Sequence, residues 1–135
     1  MKNKSNWNFY GVKIIKQITI EGEPDPRLTD EFWDDKDEQF FEESILLIRA
    51  QSFEHAYKIA EKRASEVEEP YISIYGQQVT TRFVDAVDCF IIYDELKSGA
   101  EVYSFFHSAN KNESPDEFTE KLFTRSEGIR KARHR

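Results

Sequence analysis

The segment 43–70, ESILLIRAQSFEHAYKIAEKRASEVEEP, decides which fold we expect for this chain. Its four consecutive apolar residues at 45–48 predict a strand that is central in a sheet or covered on both faces. Ser52 follows at a position where its hydroxyl can accept a backbone N–H and begin a helix, which Pro70 ends. The apolar positions of this helix form one stripe: Phe53, Ala56, Tyr57, Ala60, Ala64 and Val67. A helix with a single apolar stripe needs a sheet to cover that stripe.

Two long stretches on either side of this segment predict strands of that sheet. Residues 7–20 alternate between apolar positions and mixed positions over most of their length. Residues 79–94 form the longest strand candidate, and their length indicates a bulge near 85–88.

Shorter segments predict the turns and the last strand. Residues 71–78 are expected to form a loop or a short extended piece that turns near Gly76. Ser98 and Gly99 predict a hairpin turn, which leads into a final strand at 101–108. The elements then follow one another as strand, strand, helix, strand and strand.

The sequence SPDE at 114–117 combines a capping box with proline at the first helical position, so it predicts a C-terminal helix. The predicted fold is α+β. It has a mainly antiparallel four-stranded sheet in β-β-α-β-β order, one long helix packed on a face, and the C-terminal helix. We expect residues 1–112 to form a single α+β domain with 21–39 as an acidic insertion. Residues 113–135 are expected to form the C-terminal helix and a basic tail.

The composition indicates a folded protein with an acidic surface. The 135 residues carry a net charge of −7, and 14% of them are aromatic, which argues against general disorder. No apolar run approaches the ~20 residues that cross a bilayer, and the first residues lack the apolar core of a signal peptide. The single cysteine, Cys89, excludes an internal disulfide. We therefore expect a cytoplasmic protein without a membrane partner, and its negative charge disfavours nucleic acid.

Several of these stretches together resemble a bacterial family catalogued as domain of unknown function 4288. The resemblance lies in NWNFYGVKII at 6–15, FEESILLIRAQSFEHAYKIAEK at 41–62, Tyr75-Gly76, RFVDAVDCFIIYDEL at 82–96 and GAEVYSFF at 99–106. It covers roughly residues 6–106, and the acidic segment and the residues after 106 depart from it. The resemblance implies a small bacterial cytosolic domain. It brings no activity and no catalytic residues.

Few residues of the chain have the spacing that catalysis or metal binding requires. The histidines at 55, 107 and 134 and the one cysteine form no pair at zinc-ligand spacing, and no glycine-rich phosphate loop is present. We therefore expect neither a metal nor a cofactor. One alternative is a small enzyme that pairs Cys89 with His107, which would lie on neighbouring strands of the predicted hairpin. Another version of that enzyme uses the carboxylates near Asp88, which Glu101 would face.

Acidic residues are concentrated in the segment 21–43, which holds eleven of them and two basic residues. Aromatic side chains lie among these charges. A negative field speeds the encounter with a basic protein, and buried aromatic rings then stabilise the complex. The expected partner-binding residues are Asp30, Glu31, Phe32, Trp33, Asp34, Asp35, Asp37 and Glu38. The function predicted is a non-enzymatic acidic protein-binding module, in one form an immunity or antitoxin-like inhibitor of a basic protein.

Two other interpretations of the same features stay open. The acidic segment could be a solvated loop without a partner. The chain could also be a homo-oligomeric structural protein whose copies join through sheet edges, with the basic tail of one copy against the acidic segment of another.

Overall fold

The computed structural model describes residues 6–33, 39–66 and 68–123. The chain divides into two compact units, Met1–Tyr103 and Ser104–Arg135. The elements are β1 (Asn8–Glu21), β2 (Phe40–Ala50), α1 (Phe53–Ala64), β3 (Tyr71–Ile72), β4 (Gln78–Ile92) and α2 (Pro115–Leu122). The predicted α+β class and the four-stranded antiparallel sheet are confirmed.

The strands of the sheet lie in the order β2-β1-β4-β3, so β1 and β4 are central. β1 and β2 pair without interruption from Asn8↔Ala50 to Ile18↔Phe40. The β1–β4 pairing has two register shifts, which leave Val87 and Val84 without partners on β1. The bulge predicted near 85–88 is therefore confirmed.

Helix α1 covers the face of the sheet that carries Tyr10, Val12 and Ile14. These three side chains are buried together with Ile48 of β2 and three alanines of the helix. The alanines, Ala56, Ala60 and Ala64, follow one another at four-residue steps and lie on one side of α1. Because their side chains are small, the helix backbone can pack close to the sheet.

The beginning of α1 is confirmed and its predicted end is wrong. The Ser52 hydroxyl accepts a hydrogen bond from the His55 N–H at 3.1 Å, which is the N-cap geometry. The helix ends at Ala64 with Ser65 as its C-cap, well before Pro70. The residues that follow are rich in glutamate, and negative charge is unfavourable at the negative end of the helix dipole. Val67 lies outside the described residues.

The prediction of the last two strands, at 79–94 and 101–108, is also not matched, because the strand expected at 101–108 does not form. The predicted turn is present: Gly99 has a positive φ of 90°, and the Ala100 N–H donates to the Lys97 carbonyl at 3.0 Å. The Glu101 N–H then donates to the Asp94 carboxylate at 2.8 Å, so it is not available for a sheet hydrogen bond. The short strand β3 pairs with β4 instead.

The position of β2 corrects a third expectation. The apolar run 45–48 predicted a strand that is central or covered on both faces, but β2 is the first strand of the sheet and forms an edge. Its side chains alternate, so Leu46 and Ile48 turn towards α1 while Ile45 and Leu47 turn to the opposite face. Ile45 is 48% exposed and Leu47 is 53% exposed.

The second unit contains α2 and its capping box. The Ser114 hydroxyl accepts from the Glu117 N–H at 3.1 Å, and the Glu117 carboxylate accepts from the Ser114 N–H at 3.2 Å, as predicted. The basic tail lies outside the described residues. Neither helix of the described part of the chain has the length and the apolar content that a membrane crossing needs.

Candidate protein-binding site

The loop after β1 is tied to the turn between β3 and β4. The Asp25 N–H donates to the Tyr75 carbonyl at 2.8 Å, and the Gln77 side-chain amide donates to the Gly22 carbonyl at 2.8 Å. The Tyr75 hydroxyl donates to the Asp30 carboxylate at 3.1 Å. We call residues 22–33 together with residues 71–77 the loop–turn surface. These hydrogen bonds give part of the acidic insertion a defined place on the protein.

The turn itself depends on Gly76. This glycine has a φ of 80°, a conformation that other residues rarely adopt, and a Cβ added there would lie 3.3 Å from the Asp25 Cβ. The Ser73 hydroxyl accepts from the N–H groups of Tyr75 and Gln77, each at 3.2 Å. The sequence prediction of a turn near Gly76 is confirmed. Because Gly76 has no Cβ, the acidic loop can approach the turn closely at Asp25.

Asp30 organises the far end of the loop. Its carboxylate accepts from the Phe32 N–H at 3.0 Å, and its carbonyl accepts from the Trp33 N–H at 3.1 Å. Burial of the Tyr75 phenol, followed by its hydrogen bond to Asp30, raises the pKa of Tyr75. The Asp30 carboxylate thus bonds groups of its own chain, and it fixes the backbone that carries Phe32.

Apolar side chains project from the loop–turn surface into solvent. Phe32 is 79% exposed and Ile74 is 75% exposed. Leu28, Tyr71 and Ile72 are exposed as well, whereas Trp33 is partly buried. Phe32 is among the predicted partner-binding residues, whereas Leu28 and the apolar residues of the turn are not. They lie some forty residues apart in the sequence, and only the hydrogen bonds between loop and turn reveal that they share a surface.

The charge around these side chains is almost entirely negative. The loop–turn surface, residues 22–33 and 71–77, contains four acidic residues and one basic residue, Arg27. The Arg27 guanidinium donates to the Asp25 carboxylate at 3.2 and 3.0 Å, which lowers the pKa of Asp25. Arg27 is therefore paired within the loop, and the exposed Glu31 contributes to a negative field. Four predicted partner-binding residues, Asp34, Asp35, Asp37 and Glu38, lie outside the described residues.

Comparison with known protein families identifies the family of this chain. A family model described as domain of unknown function (DUF4288) matches residues 9–104. The chain belongs to this family. No curated protein and no solved structure matches it significantly. The DUF4288 match includes all of the sheet except Asn8, together with α1 and the loop–turn surface, and it ends before α2.

The structure does not contain the hairpin on which the enzyme alternative with Cys89 and His107 was based. Cys89 lies on the α1 side of β4, and burial, together with the neighbouring Asp88 carboxylate, raises the pKa of its thiol to about 11. Such a thiol is almost fully protonated near neutral pH and is a poor nucleophile. His107 belongs to the second unit and lies beyond the DUF4288 match, where its ring contacts Phe105 at 4.8 Å and Phe118 at 5.6 Å. The predicted hairpin that would place the two residues on neighbouring strands does not form.

The carboxylates near Asp88 bond to the backbone of the bulge. The Asp85 carboxylate accepts from the Ala86 N–H at 2.9 Å, and the Asp88 carboxylate accepts from the Cys89 N–H at 2.8 Å. These bonds satisfy N–H groups where the regular pairing is disturbed. Within the described ranges, no group of three or more His, Cys, Asp or Glu side chains could hold a metal ion. The geometry gives these carboxylates a structural role.

Proposed function

We propose that this member of the DUF4288 family is a non-enzymatic acidic protein-binding module, and that the loop–turn surface is where it binds a basic protein. The observation that carries the proposal is the grouping of exposed apolar side chains with acidic residues on a loop held in place by hydrogen bonds. Phe32 and Ile74, each at least three-quarters exposed, are its most prominent apolar groups. An exposed apolar group surrounded by charge is a common feature of protein interaction sites.

The charges of this surface favour a basic partner over other partners. Arg27 is the one basic residue of its two segments, and it is already paired with Asp25. The long-range field of the remaining acids attracts positive charge and raises the rate of encounter. Phe32 can then enter a pocket of the partner, where an aromatic ring contributes much of the affinity.

The fixed shape of the loop supports tight binding. A loop that is ordered before it binds loses less conformational entropy in the complex than a disordered one. The three bonds from Asp25, Gln77 and Tyr75 to their partners provide this order. One form of the proposal is an immunity or antitoxin-like cytoplasmic protein that covers the active site of a basic toxin. This form is supported by the small size and the acidity of the chain, by analogy with inhibitors of that kind.

Affinity capture with matched variants tests the proposal. Tagged wild-type protein, Phe32→Ala and Glu23→Lys/Glu31→Lys are each exposed to an extract of the native host, and captured proteins are identified by mass spectrometry. Phe106→Ala, an exposed phenylalanine of the second unit, is the control for the first variant. Glu61→Lys/Glu95→Lys, which changes the same charge at exposed sites outside the loop–turn surface, is the control for the second.

We expect the wild type and both controls to capture the same basic protein, and both loop variants to lose it. Truncation of an anchoring aromatic ring costs about 2 kcal/mol or more, roughly a 30-fold loss of affinity. The proposal is wrong if the wild type captures no basic protein, or if the loop variants capture as much of it as their controls do.

A further inference from the structure

The outer edge of β2 has the properties of a strand that another strand covers. β2 is eleven residues long and pairs with β1 along its whole length. In the part of the chain that the structure describes, no strand pairs with its other side. The run at 45–48 has the sequence of a strand covered on both faces, and yet Ile45 and Leu47 are about half exposed.

Proteins protect their free sheet edges, and β2 lacks the usual protection. Edge strands are kept from pairing by shortness, proline, bulges or charged residues in the middle of the strand. β2 has no proline, its pairing with β1 has no bulge, and residues 44–48 carry no charge. β3, at the other edge of the sheet, is only two residues long. β3 covers only Gln78 and Val79 of β4, so most of the outer side of β4 is unpaired as well in the part of the chain that the structure describes. That side of β4 is interrupted by the bulges at Val84 and Val87 and carries charged residues in its middle, which are the usual protections of a free edge. Of the two long strands, β2 is therefore the one that offers a regular, uncharged template.

We propose that β2 pairs antiparallel with β2 of a second copy of this chain, around a two-fold axis at Leu46. This symmetry places Glu43 of each copy opposite Arg49 of the other, and Ile45 opposite Leu47. All four residues lie on the face of the sheet away from α1. When two copies of this strand run in opposite directions, each charged residue therefore faces an opposite charge and each aliphatic residue faces another aliphatic residue. Opposite charges and matched aliphatic side chains at facing positions stabilise antiparallel pairs.

The charge pattern selects this register over its neighbours. Facing residues of two antiparallel strands point to the same side of the sheet, so a two-fold axis between the copies must place one residue opposite the same residue of the other copy. With the axis at Ile45, Glu43 would face Leu47, and with the axis at Leu47, Arg49 would face Ile45. Both shifts oppose a charge to an aliphatic side chain. Only the axis at Leu46 matches both kinds of residue.

The two charged residues are accessible for this pairing. The Glu43 carboxylate accepts from Lys13 at 2.9 Å, and 60% of the Glu43 side chain is still exposed. The Arg49 guanidinium lies over the Trp7 ring, 5.9 Å from its centre, and the residue is exposed. Beside the strand, a groove lined by Leu46, Ile48 and Ile59 among others provides space on the α1 side. The proposal does not depend on the loop–turn surface, which is tied to β3 and β4.

Charge-reversal variants of the full chain test this dimer by sedimentation equilibrium. Glu43→Arg and Arg49→Glu each place like charges opposite one another twice in a homodimer. When the two variants are mixed, the heterodimer again has opposite charges at both positions. Residues 43 and 49 of one chain are about 20 Å apart along the strand. Recovery in the mixture therefore cannot arise from contacts within a chain. Circular dichroism shows whether each variant is folded.

We expect the wild type to form a dimer, each single variant to raise the dissociation constant at least tenfold, and the equimolar mixture to restore dimers. The double variant Glu43→Arg/Arg49→Glu should also dimerise. This double variant still carries the local effects of both substitutions, so any dimer that it forms is due to the restored pairing of opposite charges. The proposal is overturned if the wild type is monomeric, if the single variants dimerise as strongly as the wild type, or if neither the mixture nor the double variant recovers.

Discussion

Gly11 allows the ring of Phe90 to lie across β1. A Cβ added at position 11 would lie 2.3 Å and 2.4 Å from two carbons of the Phe90 ring, which is far inside van der Waals contact. The φ of Gly11 is not positive, so the close approach of the ring is the reason for glycine here. Phe90 in turn packs edge-on against Tyr103 at 4.9 Å, and the Lys13 ammonium lies 5.0 Å from the centre of the Tyr103 ring.

The substitution Gly11→Ala should displace the Phe90 ring and destabilise the fold. Overpacking of this kind costs about 1–3 kcal/mol. Disturbance of the Phe90–Tyr103 pair costs up to about 0.5–1.5 kcal/mol more. Alanine is better than glycine inside a strand by about 0.5–1 kcal/mol, which offsets part of the loss. We therefore expect the free energy of unfolding to fall by about 2 kcal/mol.

Urea denaturation of a double-mutant cycle measures this effect. The four proteins are the wild type, Gly11→Ala, Phe90→Ala and the double variant. In the Phe90→Ala background no ring opposes the new methyl group, so Gly11→Ala should be neutral there or should stabilise by up to about 1 kcal/mol. If Gly11→Ala costs the same with and without the Phe90 ring, the contact between ring and glycine is not the cause.

Two further predictions concern α1 and Cys89. Ser52→Ala removes the N-cap acceptor of the His55 N–H and should lower the free energy of unfolding by about 1 kcal/mol in urea denaturation, whereas Ser52→Asp should lower it much less. Burial raises the pKa of the Cys89 thiol from 9.0 to about 11, so the folded state holds this proton more tightly than the unfolded chain. The thiol's contribution to stability is therefore complete below pH 9 and is lost as the pH rises towards about 11. The difference in unfolding free energy between the wild type and Cys89→Ala should shift against the wild type over that range, and a constant difference would contradict the assignment.

The local signals of the sequence predicted the elements that depend on neighbouring residues. The Ser52 cap, the capping box at 114–117, the turn at Gly76 and the bulge near 85–88 each follow from a few adjacent side chains, and the structure confirms them. The first strand was predicted at 7–20 and is found at Asn8–Glu21.

The errors concern relations between distant segments. The segment 101–108 was predicted as a strand because it follows a hairpin turn, but Tyr103 packs on Phe90 and the Glu101 N–H bonds to Asp94, so the segment does not join the sheet. The apolar run at 45–48 indicated a covered strand, and no local feature shows that β2 lies at the edge. For the candidate site, the sequence indicated the acids and Phe32. It gave no sign that Ile74 lies on the same surface, because that depends on the Tyr75–Asp30 hydrogen bond.

The measurement that tests the proposed function most directly is the binding kinetics of the captured basic protein at low and high salt. Charge acts mainly on the encounter, and a buried aromatic ring acts mainly on dissociation. For wild-type protein we predict an association rate constant that falls at least tenfold as salt rises. Glu23→Lys/Glu31→Lys should lower that rate constant at low salt, and Phe32→Ala should instead raise the dissociation rate constant. Association that is independent of salt, or kinetics that neither variant changes, would contradict the assignment of the loop–turn surface as the binding site.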